Sequence, residues 1–190
     1  MLSFDYVSHR YTWDGKVVPG VSEILKETGQ TKDWSAVDPF YRDRGSAVHK
    51  AVELWIKGEL DETSLDPVIV PYFEQFKAWV KKEKIAGVLM AESPFYSEAL
   101  GFAGTIDLIA NQVIWDVKCS KKLDKSSEFQ YRAQGAAYRT LIRENMGLDL
   151  PFKLLLLTGE GEAKVIPLHA PYSLWDHILG IYDIKMARDA

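Results

Sequence analysis

The sequence predicts an α/β sandwich. Helical patterns precede, interrupt and follow the strand-like runs. Within GFAGTIDLIANQVIWDVKC, two apolar-rich runs are separated only by Asn111 and Gln112, the spacing of a tight hairpin. One side of that hairpin is apolar throughout, too much so for a peripheral ribbon.

In chain order, HRYTWDGKVVPG reads as a small hairpin turning at Asp14-Gly15, and Val21 to Thr28 as a short helix stopped by Gly29. Residues 1–39 thus form a lead-in, and residues 40–190 the core of a single domain. Phe40 to Lys57 is helical, with Val48, Ala51, Val52 and Trp55 on one stripe and Gly58 as terminator. After the polar interval GELDETSLD comes a second amphipathic helix, whose buried stripe is Ile69, Tyr72, Phe73, Phe76 and Val80. Gly87 to Tyr96 is the first main strand and the hairpin supplies the next two. A helix follows from Ser126 to Glu144, with Phe129, Ala133, Ala137 and Leu141 facing inward and Gly147 beyond its end. Phe152 to Thr158 and Ala163 to Leu168 are strands around GEGE, and Ser173 to Arg188 is a closing helix.

With 190 residues, 47% hydrophobic and 26% charged, the chain suits one globular domain with a sizeable core. No apolar run is long enough to span a bilayer, and MLSFDYVSHRY has no signal-peptide stretch. A single cysteine excludes an internal disulfide and any multi-cysteine zinc or iron–sulfur site within one chain. Cys119 is expected as a small buried side chain, and this usage suits a reducing cytosol. Net charge is −4, which argues against nucleic acid, but its distribution argues the other way. Between Lys118 and Arg143 lie seven basic residues (Lys118, Lys121, Lys122, Lys125, Arg132, Arg139, Arg143) against Asp124 and Glu128. A basic stretch directly after an acid pair is where a phosphate backbone needs to be held. Solvated surface charge is the plainer reading of any one of these lysines.

If Asn111-Gln112 is a two-residue turn, Ala110 faces Val113, Leu108 faces Trp115, and Asp107 faces Asp116. Alternation then puts Thr105, Asp107, Ile109, Ile114, Asp116 and Lys118 on one side. Gly104, Ile106, Leu108, Ala110, Val113, Trp115, Val117 and Cys119 lie on the other. Opposed carboxylates repel unless something cationic lies between them. A hard cation such as Mg²⁺ needs only one or two carboxylates plus waters and substrate phosphate. The carbonyl of Val117 offers another oxygen, His49 completes a site that also tolerates Mn²⁺, and Lys118 can hold a water or offset phosphate charge. The competing reading is a surface Asp116–Lys118 ion pair with Asp107 in a solvated turn. His49 and Glu53, four apart, share one face of the first long helix, and Gly45 in RGSAVH allows close approach to it. Gln134 and Tyr138, also four apart, can bind phosphate or a catalytic side chain without adding charge. Glu92 is either a further ligand or an exposed strand residue. Trp13, Trp34 and Tyr41 are candidates for stacking a frayed base.

GTID, then DVK nine residues on, then QGAAY, with RGSAVHKAVE upstream, resembles the PD-(D/E)XK nuclease superfamily. The similarity is to its RecB-like and phage-type exonuclease branch, and it covers most of the chain, including the lead-in HRYTWDGKVVPGVSEIL. It implies a restriction-endonuclease-like core, a central mixed β-sheet flanked by helices, and Mg²⁺- or Mn²⁺-dependent phosphodiester hydrolysis. On this resemblance His49, Asp107, Asp116 and the Val117 carbonyl match metal ligands, and Glu53 an acid after the helical histidine. Lys118 matches the catalytic lysine, while Gln134 and Tyr138 match the branch's Q-x-x-x-Y element. Arg44, Lys121, Lys122, Lys125, Arg132 and Arg139 are the expected DNA contacts. The implied activity is a DNA exonuclease of phage or bacterial recombination or repair, in the bacterial or phage-infected cytosol. It would work alone or beside a recombinase, single-strand-annealing or helicase partner. A structure-specific endonuclease and a non-catalytic nucleic-acid-binding module are the alternatives. The middle acid is Asp116 where Glu is commoner, and the iron–sulfur cysteines of some relatives are absent.

Overall fold

The computed structural model describes residues 1–5, 8, 10–31 and 38–189. Its centre is a five-stranded mixed sheet in the order β4-β5-β6-β7-β8, formed by β4 (Val88–Ser97), β5 (Phe102–Ala110), β6 (Val113–Cys119), β7 (Phe152–Leu157) and β8 (Lys164–Pro167). Only β6 and β7 run parallel. A parallel neighbour cannot be reached by a tight turn, so the chain crosses back through α4 (Lys125–Met146). Asp124 starts α4 by accepting from the Ser127 amide at 2.8 Å, and Gly147 ends it at φ 68°.

Helices cover both faces. Packed on one are α1 (Val21–Glu27), α4 and α5 (Tyr172–Asp189), with Ile109, Ile114, Leu154 and Leu156 of the sheet beneath them. On the other lie α2 (Pro39–Lys57) and α3 (Val70–Lys82), over Leu108, Trp115, Val117 and Leu155. A small antiparallel sheet of β1 (Leu2–Asp5), β2 (Arg10–Trp13) and β3 (Lys16–Val18) joins the main one through the Pro19 carbonyl, which accepts from Ala103, and through Trp13 stacked on Tyr96. The fold class expected from the sequence is therefore present, and each predicted helix and strand lies within a few residues of its expected limits. The strand β1 was not anticipated.

Three expectations about faces need correction. Gly104 and Ile106 do not share a side with Leu108. Ile106 is buried with Ile109 under α4, and a Cβ on Gly104 would meet Val21, Leu141 and Tyr138. Phe129 does not face inward: it is 40% exposed, and the buried arc of α4 runs instead from Tyr131 through Ala133, Ala136, Ala137 and Tyr138 to Ile142. Cys119 is half-buried rather than buried.

Helix α4 presses against the sheet at Gly135, where an added Cβ would sit 2.3 Å from Cδ1 of Phe152. Alanine is the better helix former by about 1 kcal/mol, yet the overlap with a buried ring dominates. Gly135→Ala is expected to lower the unfolding free energy by about 1–3 kcal/mol in denaturant titrations. An unchanged or raised midpoint would mean that this contact is looser than described.

Candidate metal centre and cleft

Asn111 and Gln112 both have positive φ (50° and 59°), as a type I′ turn demands, and the turn sets the expected register: Ala110 with Val113, Ile109 with Ile114, Leu108 with Trp115. The ladder then stops. β6 continues beside β7 while β5 diverges, so the expected Asp107–Asp116 row is not a ladder pair. The Asp107 carboxylate bridges the gap, its Oδ2 accepting from the Val117 amide at 2.7 Å. On the other side of β5, the β4 ladder also omits the Asp107 row, where Glu92 takes a left-handed backbone at φ 44°. A glutamate in that region is strained by about 1–3 kcal/mol. Side-chain alternation resets at this row, which is why Gly104 and Ile106 change sides.

Into this fork α2 projects His49. Its Nδ1 lies 3.0 Å from Glu92 Oε1 and 3.7 Å from Asp107 Oδ2, and its Nε2 lies 2.8 Å from the Val117 carbonyl oxygen. Carboxylate and carbonyl only accept, so both ring nitrogens must donate and His49 is an imidazolium. Burial opposes that charge, but Asp107 and then Glu92 outweigh it and push the pKa up to about 9. Donor atoms of His49, Glu92 and Asp107 lie within 4.8 Å of one another. Asp116, an expected ligand, lies beside this group rather than in it, fully buried, with Oδ1 accepting from Lys118 Nζ at 2.7 Å and Oδ2 without a hydrogen-bond partner among the described residues. Burial, partly offset by Lys118 and reinforced by Asp107, pushes the Asp116 carboxyl up to about 6. Asp107 is raised as well, chiefly by burial. Burial works against charge on Lys118 too, yet Asp116 and Asp107 hold its pKa above the ordinary lysine value. The Asp116–Lys118 pair is thus real but lies inside the protein, and Glu92 is engaged rather than exposed.

Of the remaining predicted site residues, Gln134 and Tyr138 do meet, the amide donating to the phenol oxygen at 2.7 Å. Burial first, then Asp107 and Asp116, keep Tyr138 well above the usual tyrosine pKa and hence neutral. Glu53 is not brought to the cluster. Its carboxylate accepts from Lys50 and Lys57 on its own helix. A cleft of about 850 Å³ opens beside the cluster, lined by Tyr41, Arg44, Gly45, His49, Tyr72, Val117, Lys118, Cys119, Lys121, Lys122 and Tyr131 among others. Arg44 lies across it, 4.6 Å from the Tyr72 ring centre and 5.2 Å from that of Tyr41. Lys125, exposed, opens α4 next to this cleft.

Arg132 and Arg139 are turned elsewhere. Arg132 donates to the His169 carbonyl, and Arg139 to those of Leu150 and Ala170 and to Asp149. Arg139 lies about 21 Å along α4 from Lys125, so the two guanidiniums staple the helix to the segments around β7 and α5. Trp13 is packed on Tyr96 and is not among the residues lining the cleft, while Trp34 is outside the described residues. Two tyrosines near the acids were missed. Tyr11 of β2 bonds Thr105 through its hydroxyl at 2.8 Å, a contact 94 positions apart that no local pattern signals. Tyr131 carries Lys118 Nζ 5.4 Å from its ring centre, and its place one turn before Gln134 on α4 was a usable hint.

No family model matches the chain, and no curated protein matches it. Among solved structures, the fold is similar to a protein from Eubacterium rectale provisionally named an exonuclease. That match has a TM-score of 0.55 and 19% identity over 87% of this chain and 71% of the other. Among the described residues, no helix is long and apolar enough to cross a membrane.

The cluster sets three carboxylates (Glu92, Asp107, Asp116) against two cations (His49, Lys118). Because the folded Asp116 pKa, about 6, lies above its ordinary 3.8, ionised Asp116 opposes folding. The penalty is absent below about pH 4 and complete above about pH 6. Asp116→Asn should therefore raise the metal-free thermal midpoint at pH 8 by several degrees and change it little near pH 4. A midpoint lowered at pH 8 would show that the pair with Lys118 outweighs the repulsion.

Proposed function

We propose that the protein is a metal-dependent deoxyribonuclease of the PD-(D/E)XK superfamily, in the RecB-like and phage-type branch, that removes nucleotides from DNA ends. The observation that carries this reading is the fork itself: Asp107 brought together with His49, Glu92 and the Val117 carbonyl, with buried Asp116 and its half-buried partner Lys118 alongside. The fold similarity to a protein named as an exonuclease agrees with it.

The donor set fits a hard divalent cation. Oxygens predominate, and Asp116 Oδ2 is buried without a partner among the described residues, a costly arrangement for a protein that binds nothing there. Asp107, Asp116 and the Val117 carbonyl would hold Mg²⁺, with Glu92 and His49 as further donors. The imidazole nitrogen also accommodates Mn²⁺. Such an ion supplies Lewis-acid polarisation of the scissile phosphate and a more acidic water. In the bare protein the imidazolium of His49 occupies the space between Glu92 and the Val117 carbonyl, so ligation by His49 requires loss of its proton.

The chain's own groups do the positioning. Lys118 has three donors and uses one on Asp116. Its raised pKa keeps it charged, so it orients the attacking water and steadies the phosphate rather than taking a proton. Neutral Tyr138, held by Gln134, has its own O–H free to donate to a phosphate oxygen or to Asp107. Arg44, Lys122 and Lys121, the last paired at the surface with Glu160, border the cleft and grip the backbone, with Lys125 nearby at the start of α4; Arg132 and Arg139 take no part. Protein partners, recombinase or helicase, are compatible with this arrangement.

End-labelled linear DNA and a covalently closed circle, each with Mg²⁺ or EDTA, provide the test. Linear DNA should yield a Mg²⁺-dependent ladder while the circle persists. A nicked circle would mean an endonuclease, and no product on either would remove the nuclease reading. Lys118→Ala should lower turnover by about 10²–10³-fold with DNA affinity nearly unchanged. Loss confined to affinity would make Lys118 a backbone contact instead.

A further inference from the structure

A second cleft, of about 800 Å³, opens at the far end of α4 from the metal centre, beside the turn between β4 and β5. Ser127 of the first cleft and Glu144 of the second lie about 26 Å apart along the helix. Trp13, Phe95 and Tyr96 line it, with Trp13 and Tyr96 stacked at 4.6 Å. Glu98 from the turn and Glu144 from the last turn of α4 complete the lining on the polar side. Both are exposed, and neither forms an ion pair among the described residues. No described lysine, arginine or histidine lines this cleft. A carboxylate in the last turn of a helix adds to the partial negative charge already carried by that end. The adjacent Arg143 is turned to the Tyr172 ring instead, 3.8 Å from its centre. Asn145 donates its amide nitrogen to the carbonyls of Tyr96 and Leu141, so its oxygen is what the side chain has left to offer. Elsewhere Tyr41, Tyr131 and Tyr172 each carry a cation of the chain itself. Among the described residues, none lies over Trp13, Phe95 or Tyr96.

We propose that this cleft docks an arginine side chain presented by an extended basic segment of a partner protein. Aromatic faces attract a cation, and Trp is the strongest of them. Carboxylates on two separate elements then offer the oxygens that a guanidinium engages in pairs. Arginine fits this combination better than lysine, because its planar group both stacks on a ring and forks onto carboxylates. A cleft of this size takes far more than one guanidinium, so a short stretch of peptide accompanies the side chain. Nucleic acid is the wrong chemistry here, since phosphates would meet two unpaired acids. The cleft shares no residue with the metal centre, so its role stands apart from the nuclease reading.

Titration in EDTA, following the indole N–H resonance of Trp13 by NMR, tests this without any cleavage. The probe is a peptide of glycine and serine carrying two arginines, and its comparator has citrulline, neutral and of the same shape, in their place. The arginine peptide should shift the Trp13 resonance saturably, and the citrulline peptide should leave it unmoved. Glu98→Gln and Glu144→Gln should each weaken binding about tenfold, with thermal midpoints held because both positions are exposed. Glu59→Gln, which removes the same charge from an exposed site at the far end of α2, should leave binding unchanged. An equal loss on Glu59→Gln would reduce the effect to bulk charge and overturn the proposal. Citrulline bound as tightly as arginine would overturn it too, leaving an apolar groove with no recognition of a cation. A Trp13 resonance that shifts with protein concentration alone would give the cleft to a second copy of the chain and equally overturn it.

Discussion

One hydrogen bond organises the centre of this molecule: the Val117 amide donates to a side chain, Asp107, where a continuous sheet would supply a backbone carbonyl. Because that carboxylate spans the gap, β5 can part from β6 without leaving a buried amide unsatisfied. The parting makes room for α2 to bring His49 to the Val117 carbonyl from one side and for α4 to bring Tyr131 and Tyr138 from the other. The left-handed backbone at Glu92 completes the fork by turning a third carboxylate toward His49.

The cost of this arrangement is electrostatic. Three acids and two cations are packed together at the edge of the cleft, and the imbalance shows in the raised pKa values of Asp107 and Asp116 and in the charge forced onto His49. A purely structural network would be expected to satisfy its buried atoms, yet Asp116 Oδ2 has no partner among the described residues. Stability traded for a preorganised donor set is the usual physical mark of a binding or catalytic centre. The remaining architecture supports that centre: two helical layers bury both sheet faces, and α4 carries the chain from the cleft to the start of β7.

Much of this was legible because it depended on local chemistry. The two-residue gap at Asn111-Gln112 fixed a turn type, the turn fixed the register, and the register placed Asp107 beside the end of β6. Gly58 and Gly147 marked helix ends for the same local reason. What was illegible depended on distant partners. Nothing about a glutamate announces φ 44°, so alternation carried through Glu92 and Asp107 put Gly104 and Ile106 on the wrong side. A stripe of four residues could not reveal that α4, buried along most of its length, leaves Phe129 exposed near its first turns. The basic excess was real as a count. Its split between cleft lysines and the two arginines that tie α4 to its neighbours was set by carbonyls at Leu150, His169 and Ala170. Glu53 has the right spacing from His49, but two lysines on the same helix reach it first.

On the proposed reading, the forked strands hold a divalent cation where His49 holds a proton. Calorimetric titration of Mn²⁺ near pH 7.5, repeated in buffers of different ionisation enthalpy, counts protons as the ion binds. One-site binding with release of roughly one proton is expected, lost on substituting Asp107→Asn. Binding that releases no proton, or that survives Asp107→Asn unchanged, would place the ion elsewhere and contradict it.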